Sequence, residues 1–326
     1  MKKYLALIIA MFVLAGCAPA VPANEPETQE ATSVEKSQET AEKTSEGVTQ
    51  ETTEQTTTFM YTSEQGDIEV PSDPSRIVIL DSSAAGALLL FDGSVVGHEY
   101  WTGTNPLFAD KLKDSTEVSV DNLEQIMALS PDLIVASSYN ENLEELSQIA
   151  PTVAFTYGKL NYTDTIIEYG KLVNKEAEAK LWVESFKEKS TQAGQRIKEK
   201  YGDDVSISVM EAYGEEIYLY GDNWGRGTQI VYQEMGLIMP DPVKEVALTE
   251  GYYSISAEVV PEYQADLMIF AYFEGSNMAF TDTETWKNIE AVQKERVLEI
   301  EAEKFYMTGP ITLEYQLEQI EAFFVN

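Results

Sequence analysis

The sequence predicts an α/β fold built as two lobes joined by a long helix, and three observations carry that expectation. Short apolar runs of strand length, at residues 77–80, 133–135, 153–155, 205–209, 217–220, 267–270 and 297–300, alternate with stretches of helical character, the pattern of strands and helices packed in layers. Residues 161–201 interrupt the alternation with no strand pattern, so the runs fall into two groups. The groups also echo each other. Glu124 precedes Asp132-Leu133-Ile134-Val135 by eight positions, and Glu258 precedes Asp266-Leu267-Met268-Ile269 by the same eight. Two copies of one acid, helix and strand unit would give this echo, although Asp-Leu before a strand is common enough to recur by chance.

The chain opens with Lys2-Lys3, an apolar run over residues 4–13 and Leu14-Ala15-Gly16-Cys17. The run falls short of the roughly 20 residues that span a bilayer and reads as a secretion signal over residues 1–17. Cys17 is the single cysteine of the chain, so neither an intramolecular disulfide nor a cysteine-based metal cluster can form. From residue 18 to about 60 Thr, Glu, Gln, Ser and Ala dominate, and Leu and Ile are missing. Such a segment buries too little apolar surface to offset its ordering entropy and is expected to be a disordered tether.

The folded part is expected to comprise an N-terminal lobe over residues 61–160, a helical segment over 161–203 and a C-terminal lobe over 204–326. Ile77-Val78-Ile79-Leu80 is its first clear strand, and Ser82 or Ser83 is placed to cap the helix that follows. Residues 175–200 are rich in Glu, Lys, Ala and Gln, with Trp182 and Phe186, then Ala193 and Ile197, each four apart. At 1.5 Å per residue such a helix spans about 40 Å, enough to connect two lobes, though a surface helix would share its pattern.

The net charge is −34. That is a poor surface for nucleic acid, where Lys and Arg on phosphate dominate affinity, and a poor trap for a polyanion; a neutral or cationic small molecule fits better. The one histidine, His98, cannot make a zinc site alone and is better read as a loop or cleft-wall residue than as a metal or haem ligand. No nucleophile elbow or phosphate-binding loop stands out, and Ser-His-Asp hydrolysis would depend on that single imidazole. The 18 Tyr and 4 Trp are more informative. Tyr100-Trp101, Tyr139, Tyr218, Trp224, Tyr252-Tyr253, Tyr272-Phe273 and Phe305-Tyr306 fall in expected loops, and an aromatic cleft with few charges suits a bulky organic ligand. About half of them are expected to line one.

Residues 217–236 organise the second half. The alternating run Ile217, Tyr218, Leu219, Tyr220 reads as a strand, Gly221-Asp222-Asn223 as its stop, and Ile230, Val231 and Met235 as a helix ended by Gly236. Trp224 and Arg226 thus sit between glycines on a strand-to-helix connection, at the carboxyl end of a strand where α/β proteins usually bind ligands. Spacing alone fits equally a glycine-rich turn with a packed Trp and a solvated Arg. Only Gly225 and Gly227 suit a dinucleotide fingerprint, so that reading fails.

Tyr220-Gly-Asp-Asn-Trp-Gly-Arg-Gly227, with Tyr232-Gln and Met235-Gly-Leu, resembles the iron(III)-hydroxamate siderophore-binding lipoproteins of Gram-positive ABC importers. The similarity extends, more weakly, from about residue 61 to the C-terminus. It implies two Rossmann-like α/β lobes on a backbone helix, the class III substrate-binding protein fold. The function it implies is delivery of ferric hydroxamate siderophores to a permease, with no catalysis and no cofactor, the iron arriving already chelated. The other readings are a binder of a catecholate siderophore, haem or cobalamin, or an extracytoplasmic hydrolase. Tris-hydroxamate complexes are neutral or weakly cationic and tris-catecholates trianionic, so one Arg and an acidic chain favour hydroxamates.

The resemblance further implies a monomer lipidated at Cys17, because Leu-Ala-Gly-Cys resembles the lipobox, and held on the outer face of the cell membrane. It places Trp224, Arg226 and Tyr218 against the siderophore. Phe305-Tyr306-Met307 aligns with an aromatic stretch of the pocket, though family members are more aromatic there, and Tyr139 stands near Ser137, where a Tyr occurs in the family. With Trp101, these are the candidate ligand contacts. Glu124 and Glu258 match the one glutamate per lobe that pairs with permease arginines; as first-turn acids they would equally stabilise their helices.

Overall fold

Twelve strands form among the described residues of this computed structural model, which are 57–91 and 93–326. The expected secretion signal, Cys17 and most of the expected tether lie outside them. In chain order the strands are β1 Thr58–Ser63, β2 Gly66–Pro71, β3 Ile77–Leu80, β4 Val95–His98, β5 Thr116–Glu117, β6 Leu133–Ser137 and β7 Thr152–Phe155, then β8 Ile207–Tyr213, β9 Glu216–Tyr220, β10 Tyr252–Ile255, β11 Leu267–Tyr272 and β12 Val297–Glu301. They pair as a hairpin β1-β2 and two five-stranded sheets ordered β5-β4-β3-β6-β7 and β10-β9-β8-β11-β12. The first large sheet is wholly parallel; in the second, β9 and β10 run antiparallel to their neighbours. This is the α/β, two-lobed architecture the sequence predicts.

The echo between the halves has a structural basis. Asp132, just before β6, accepts from the Ser75 backbone N–H (2.7 Å) and hydroxyl (2.8 Å). Asp266, just before β11, accepts from the Ser206 backbone N–H (2.9 Å) and hydroxyl (2.7 Å). In each lobe the aspartate ties the start of one parallel strand to the chain entering its neighbour, β3 in one and β8 in the other.

Strand alternation sorts the apolar residues into three cores. Ile77, Ile79, Leu133, Val135 and Val153 of the first sheet, and Ile207, Val209, Leu267, Ile269, Leu298 and Ile300 of the second, face one shared core. The other faces pack separately, Val78, Leu80, Ile134 and Ala136 in one cluster and Met210, Leu219, Met268 and Phe270 in another. The shared core also takes Val183, Phe186, Ala193 and Ile197 from helix Glu176–Tyr201, and Leu313, Leu317 and Ile320 from the C-terminal helix Pro310–Val325. One buried face on each long helix therefore serves both sheets.

Two expectations are corrected here. Thr58–Met60 belong to strand β1, not to the tether, because residues 58–63 pair with β2 and Tyr61 is anchored in the core with its hydroxyl donated to Glu168 (2.8 Å). Residues 229–234 form a single π-helical turn, Gln229–Glu234, rather than an α-helix. The wider turn carries Gln229, Ile230 and Val231 into the core, a geometry often found next to functional sites.

Candidate functional site

Where the shared core ends, a cleft opens beyond the carboxyl ends of the parallel strands. Asp81 follows β3, Trp101 lies three residues past β4, Tyr139 and Tyr157 each two past β6 and β7, and Phe273 one past β11. Glu211 and Tyr213 are on the last residues of β8. Crevices at this end of a parallel sheet are general binding places, especially where the connections diverge to either side of one strand, as at β3 and β8 here.

The exception is β9. It runs antiparallel to β8, so its carboxyl end points away from the cleft, and the expected placement of Trp224 and Arg226 at a cleft-facing strand end is corrected accordingly. The loop after β9 instead folds back, and its Arg226 N–H donates to the Phe305 carbonyl (2.6 Å). Side-chain alternation does the rest. Glu211 and Tyr213 of β8, Tyr218 and Tyr220 of β9, and Tyr252, paired with Tyr220 across the strands, all come to one sheet face. That face floors a cavity of about 420 Å³. A second cavity of about 490 Å³, lined by Asp81, Ser83, Tyr139, Tyr157, Met307 and Thr308, shares Trp224, Arg226 and Tyr306 with the first.

The aromatic walls are held by one another. Trp224 meets Tyr157 edge-on with centroids 5.4 Å apart and tilts against Tyr252 at 5.3 Å. Trp101 meets Tyr306 edge-on at 6.1 Å, and the Tyr306 hydroxyl donates to the Trp101 carbonyl (2.7 Å). The Tyr157 hydroxyl donates to the Asn223 carbonyl (3.1 Å). Both contacts join the two halves of the chain across the cleft. Burial pushes the Tyr157 and Tyr306 hydroxyls up to about 12, so they stay neutral donors.

Arg226 is not a free guanidinium. Its Nε–H donates to Glu211 Oε2 (2.8 Å), its Nη2 to Glu211 Oε1 (3.0 Å) and its Nη1 to the Trp224 carbonyl (3.1 Å). The Tyr220 hydroxyl donates to Glu211 Oε1 as well (2.8 Å), and the Tyr220 ring lies 4.7 Å beneath the guanidinium carbon. Burial alone would lower the Arg226 pKa, but the Glu211 carboxylate outweighs it and the pKa is raised. The sequence gives no sign that Glu211 is the partner of Arg226. Arg226 is half of a buried ion pair.

Asp81 takes the Ser83 backbone N–H (3.0 Å) and hydroxyl (2.7 Å), and burial raises its pKa. No Lys, Arg or His pairs with it among the described residues.

Of the residues singled out from sequence, Trp224, Arg226, Tyr218, Tyr306, Trp101 and Tyr139 all line these two cavities. Tyr139 is the most exposed, at 73%, and sits at the rim. Phe305 is core instead, and Tyr100, Tyr253 and Tyr272 lie outside both linings. His98 is neither loop nor cleft wall: it is the last residue of β4, buried, with Nδ1 hydrogen-bonded to the Ser115 hydroxyl (2.8 Å) and its pKa lowered by burial. Glu124 and Glu258 are exposed in the first turns of Leu123–Ala128 and the 3₁₀ helix Ala257–Tyr263, away from the cleft linings. The Glu258 carboxyl is held below its usual range by its own backbone N–H and the Ser256 hydroxyl.

Sequence reading missed Glu211, Tyr213, Tyr157 and Asp81. Glu211 left a signal, an acid inside the apolar run Val209-Met210-Glu211-Ala212, where a carboxylate needs a partner. A larger groove of about 810 Å³ runs between the β1-β2 hairpin and edge strand β7, but four of its five charged lining residues are already joined in ion pairs, Lys159 with Glu64 and Lys171 with Glu168, with Glu176 the fifth.

The chain matches the model of the periplasmic binding protein family over residues 77–303. It is 32% identical over 269 residues to the iron(3+)-hydroxamate-binding protein FhuD of Bacillus subtilis strain 168, covering 81% of this chain and 85% of that one. Among solved structures, the FhuD protein from S. pseudintermedius superposes with a TM-score of 0.74 at 32% identity, covering 83% of this chain and 99% of that chain. FhuD2 from Staphylococcus aureus with bound ferrioxamine B superposes with a TM-score of 0.73 at 26% identity, covering 77% and 98%.

Proposed function

The chain belongs to the periplasmic binding protein family, and from that premise we propose that it captures ferric hydroxamate siderophores outside the cytoplasm and hands them to an ABC permease. The observation that carries the reading is the cleft: walls of Trp and Tyr, phenols held neutral, and one guanidinium already matched by a carboxylate. Such a lining offers apolar area and scattered donors to a bulky chelate without demanding that it be an anion. The names of its relatives, iron(3+)-hydroxamate-binding FhuD and FhuD2 with ferrioxamine B, support the same ligand class.

In this reading the iron is cargo, bound only as its chelate, and the protein performs no chemistry on it. Trp224, Tyr218, Tyr306, Trp101 and Tyr139 supply contact area. Arg226 supplies donors, since a guanidinium has five N–H groups and three are engaged, which leaves two for ligand oxygens. Cys17 carries the lipid that holds a monomer at the outer face of the cell membrane, and Glu124 and Glu258 meet the permease.

A titration of the purified protein with a panel of ferric siderophores, followed by Trp fluorescence, tests the ligand class. Ferric hydroxamates should saturate the signal at sub-micromolar concentration. Trp224→Ala, read by calorimetry, should weaken binding by about 2 kcal/mol or more, the scale of a truncated aromatic anchor. Saturation by tris-catecholates, haem or cobalamin with no response to hydroxamates would overturn the reading.

A further inference from the structure

We propose that Glu211 sets the charge selectivity of the cleft: by pairing with Arg226 it leaves hydrogen-bond donors in place while cancelling their charge, so that neutral and cationic chelates are admitted and anionic ones refused. The proposal rests on the ligand class argued above and names a specificity residue for that site.

A lone Arg at the floor of an aromatic cleft would ordinarily attract anions. Here the geometry removes that attraction. Glu211 is 2% exposed and chelates the guanidinium through both oxygens, at 2.8 and 3.0 Å. Tyr220 donates to the same carboxylate, which holds it in place against the guanidinium. The pair is rigid at the other end too, because the Arg226 backbone is pinned to Phe305 and its side chain to the Trp224 carbonyl.

Apart from phenols, the charged side chains lining the two cavities are Asp81, Glu211 and Arg226. With Asp81 ionised their sum is one negative charge; with Asp81 protonated it is zero. In neither state is the cleft positive. A trianionic tris-catecholate would meet no net attraction and would lose its hydration on entry, whereas a neutral tris-hydroxamate complex needs only the two spare N–H groups. In this low-dielectric setting one uncancelled charge is worth far more than at the surface.

The test uses full-length protein and two iron complexes, a neutral or cationic ferric hydroxamate and a trianionic ferric tris-catecholate, with affinities measured by calorimetry in wild type, Glu211→Gln, Arg226→Gln and the double variant. The readout is the ratio of catecholate to hydroxamate affinity. Glu211→Gln unmasks the guanidinium and should raise the ratio by about tenfold or more. Arg226→Gln should give the lowest ratio, and the double variant should fall back well below Glu211→Gln. A purely structural role for Glu211 predicts that both complexes weaken together with the ratio unmoved, and that outcome overturns the proposal. If Glu211→Gln does not fold, the double variant should still exceed Arg226→Gln by about tenfold, since the two differ only in the Glu211 charge; equal ratios overturn the proposal. A wild type that binds no ferric hydroxamate overturns this inference and the function it rests on, whereas hydroxamate binding with an unmoved ratio overturns this inference alone.

Discussion

Gly225, Arg226 and Gly227 hold three successive positive φ angles, 71°, 56° and 86°. The two glycines adopt this region without penalty, while Arg226 bears a left-handed backbone that its hydrogen bonds to Phe305 and Glu211 hold in place. Gly225 is constrained by space as well: a Cβ there would lie 2.2 Å from the Tyr306 carbonyl oxygen. Gly225→Ala should therefore destabilise the fold by about 2 to 4 kcal/mol, combining backbone strain with overpacking, and should displace Tyr306 and Arg226 together. A thermal melt and a siderophore titration check this; an unchanged midpoint would show that the loop yields easily. The same residue-scale logic explains why Arg226 is not interchangeable with Lys. The planar fork serves Glu211 with two parallel bonds and keeps donors to spare, which an ammonium group cannot do.

Among the elements, helix Glu176–Tyr201 does the most to set the frame. Trp182 and Phe186 stack at 4.9 Å on one turn, the four-residue spacing having brought their rings together. Toward its C-terminal half the helix is laced to Pro310–Val325: Lys189 pairs with Glu314 at 3.0 Å, Arg196 pairs with Glu321, and the Lys200 ammonium donates to the Val325 carbonyl (3.2 Å). The two ion pairs recur seven residues apart on both helices, the repeat of a shared seam. They are partly exposed, so each adds little alone, and the packing beneath decides the geometry.

Gly194 marks that packing on the side of the π-helical turn. A Cβ at this position would come within 2.7 Å of the Met235 backbone. In a free helix Gly→Ala stabilises by about 1 kcal/mol. Here the contact should reverse the sign, so that Gly194→Ala lowers the melting temperature of the whole protein. A rise in melting temperature would mean that the turn Gln229–Glu234 does not rest on the helix as tightly as the contact implies.

At the scale of the whole molecule, the two sheets present equivalent edges. β3 and β8 are each the central strand of a five-stranded sheet, each is tied by an aspartate to its neighbour, and each contributes a carboxylate to the cleft, Asp81 from just beyond one and Glu211 from within the other. Glu124 and Glu258 occupy equivalent places as well, each in a first helical turn eight residues before its aspartate. Being exposed and outside the cleft linings, they suit contact with a partner rather than with the ligand, and rim charges of this kind govern orientation and encounter rate. Replacing both by Lys should abolish siderophore-dependent iron uptake in cells while leaving siderophore affinity of the purified protein within about twofold. Uptake that persists would refute docking, and a large fall in melting temperature would assign the pair to helix stability instead.

The sequence by itself determined the α/β class, the long helix and the candidacy of Trp224 and Arg226 as cleft residues. Each of these rests on local regularity: strand-length apolar runs, the four-residue spacing of Trp182 and Phe186, and glycines flanking two large side chains. The six aromatic and basic ligand candidates were legible for the same reason, since unusual residues in turn contexts stand out along a chain. What only the tertiary structure decided depends on residues far apart in sequence. Glu211 reaches Arg226 because β9 turns back antiparallel beside β8, a pairing that no periodicity encodes. Asp81 and Tyr157 enter the cleft because parallel strands from the first half end on the same side as β8 and β11, and His98 leaves it because its ring is buried against Ser115. The charge of the site was hidden with them: a guanidinium counted along the chain is an unmatched cation, but folded against a buried carboxylate it is half of a net-neutral pair that still donates, and only the fold brings the two within hydrogen-bonding distance.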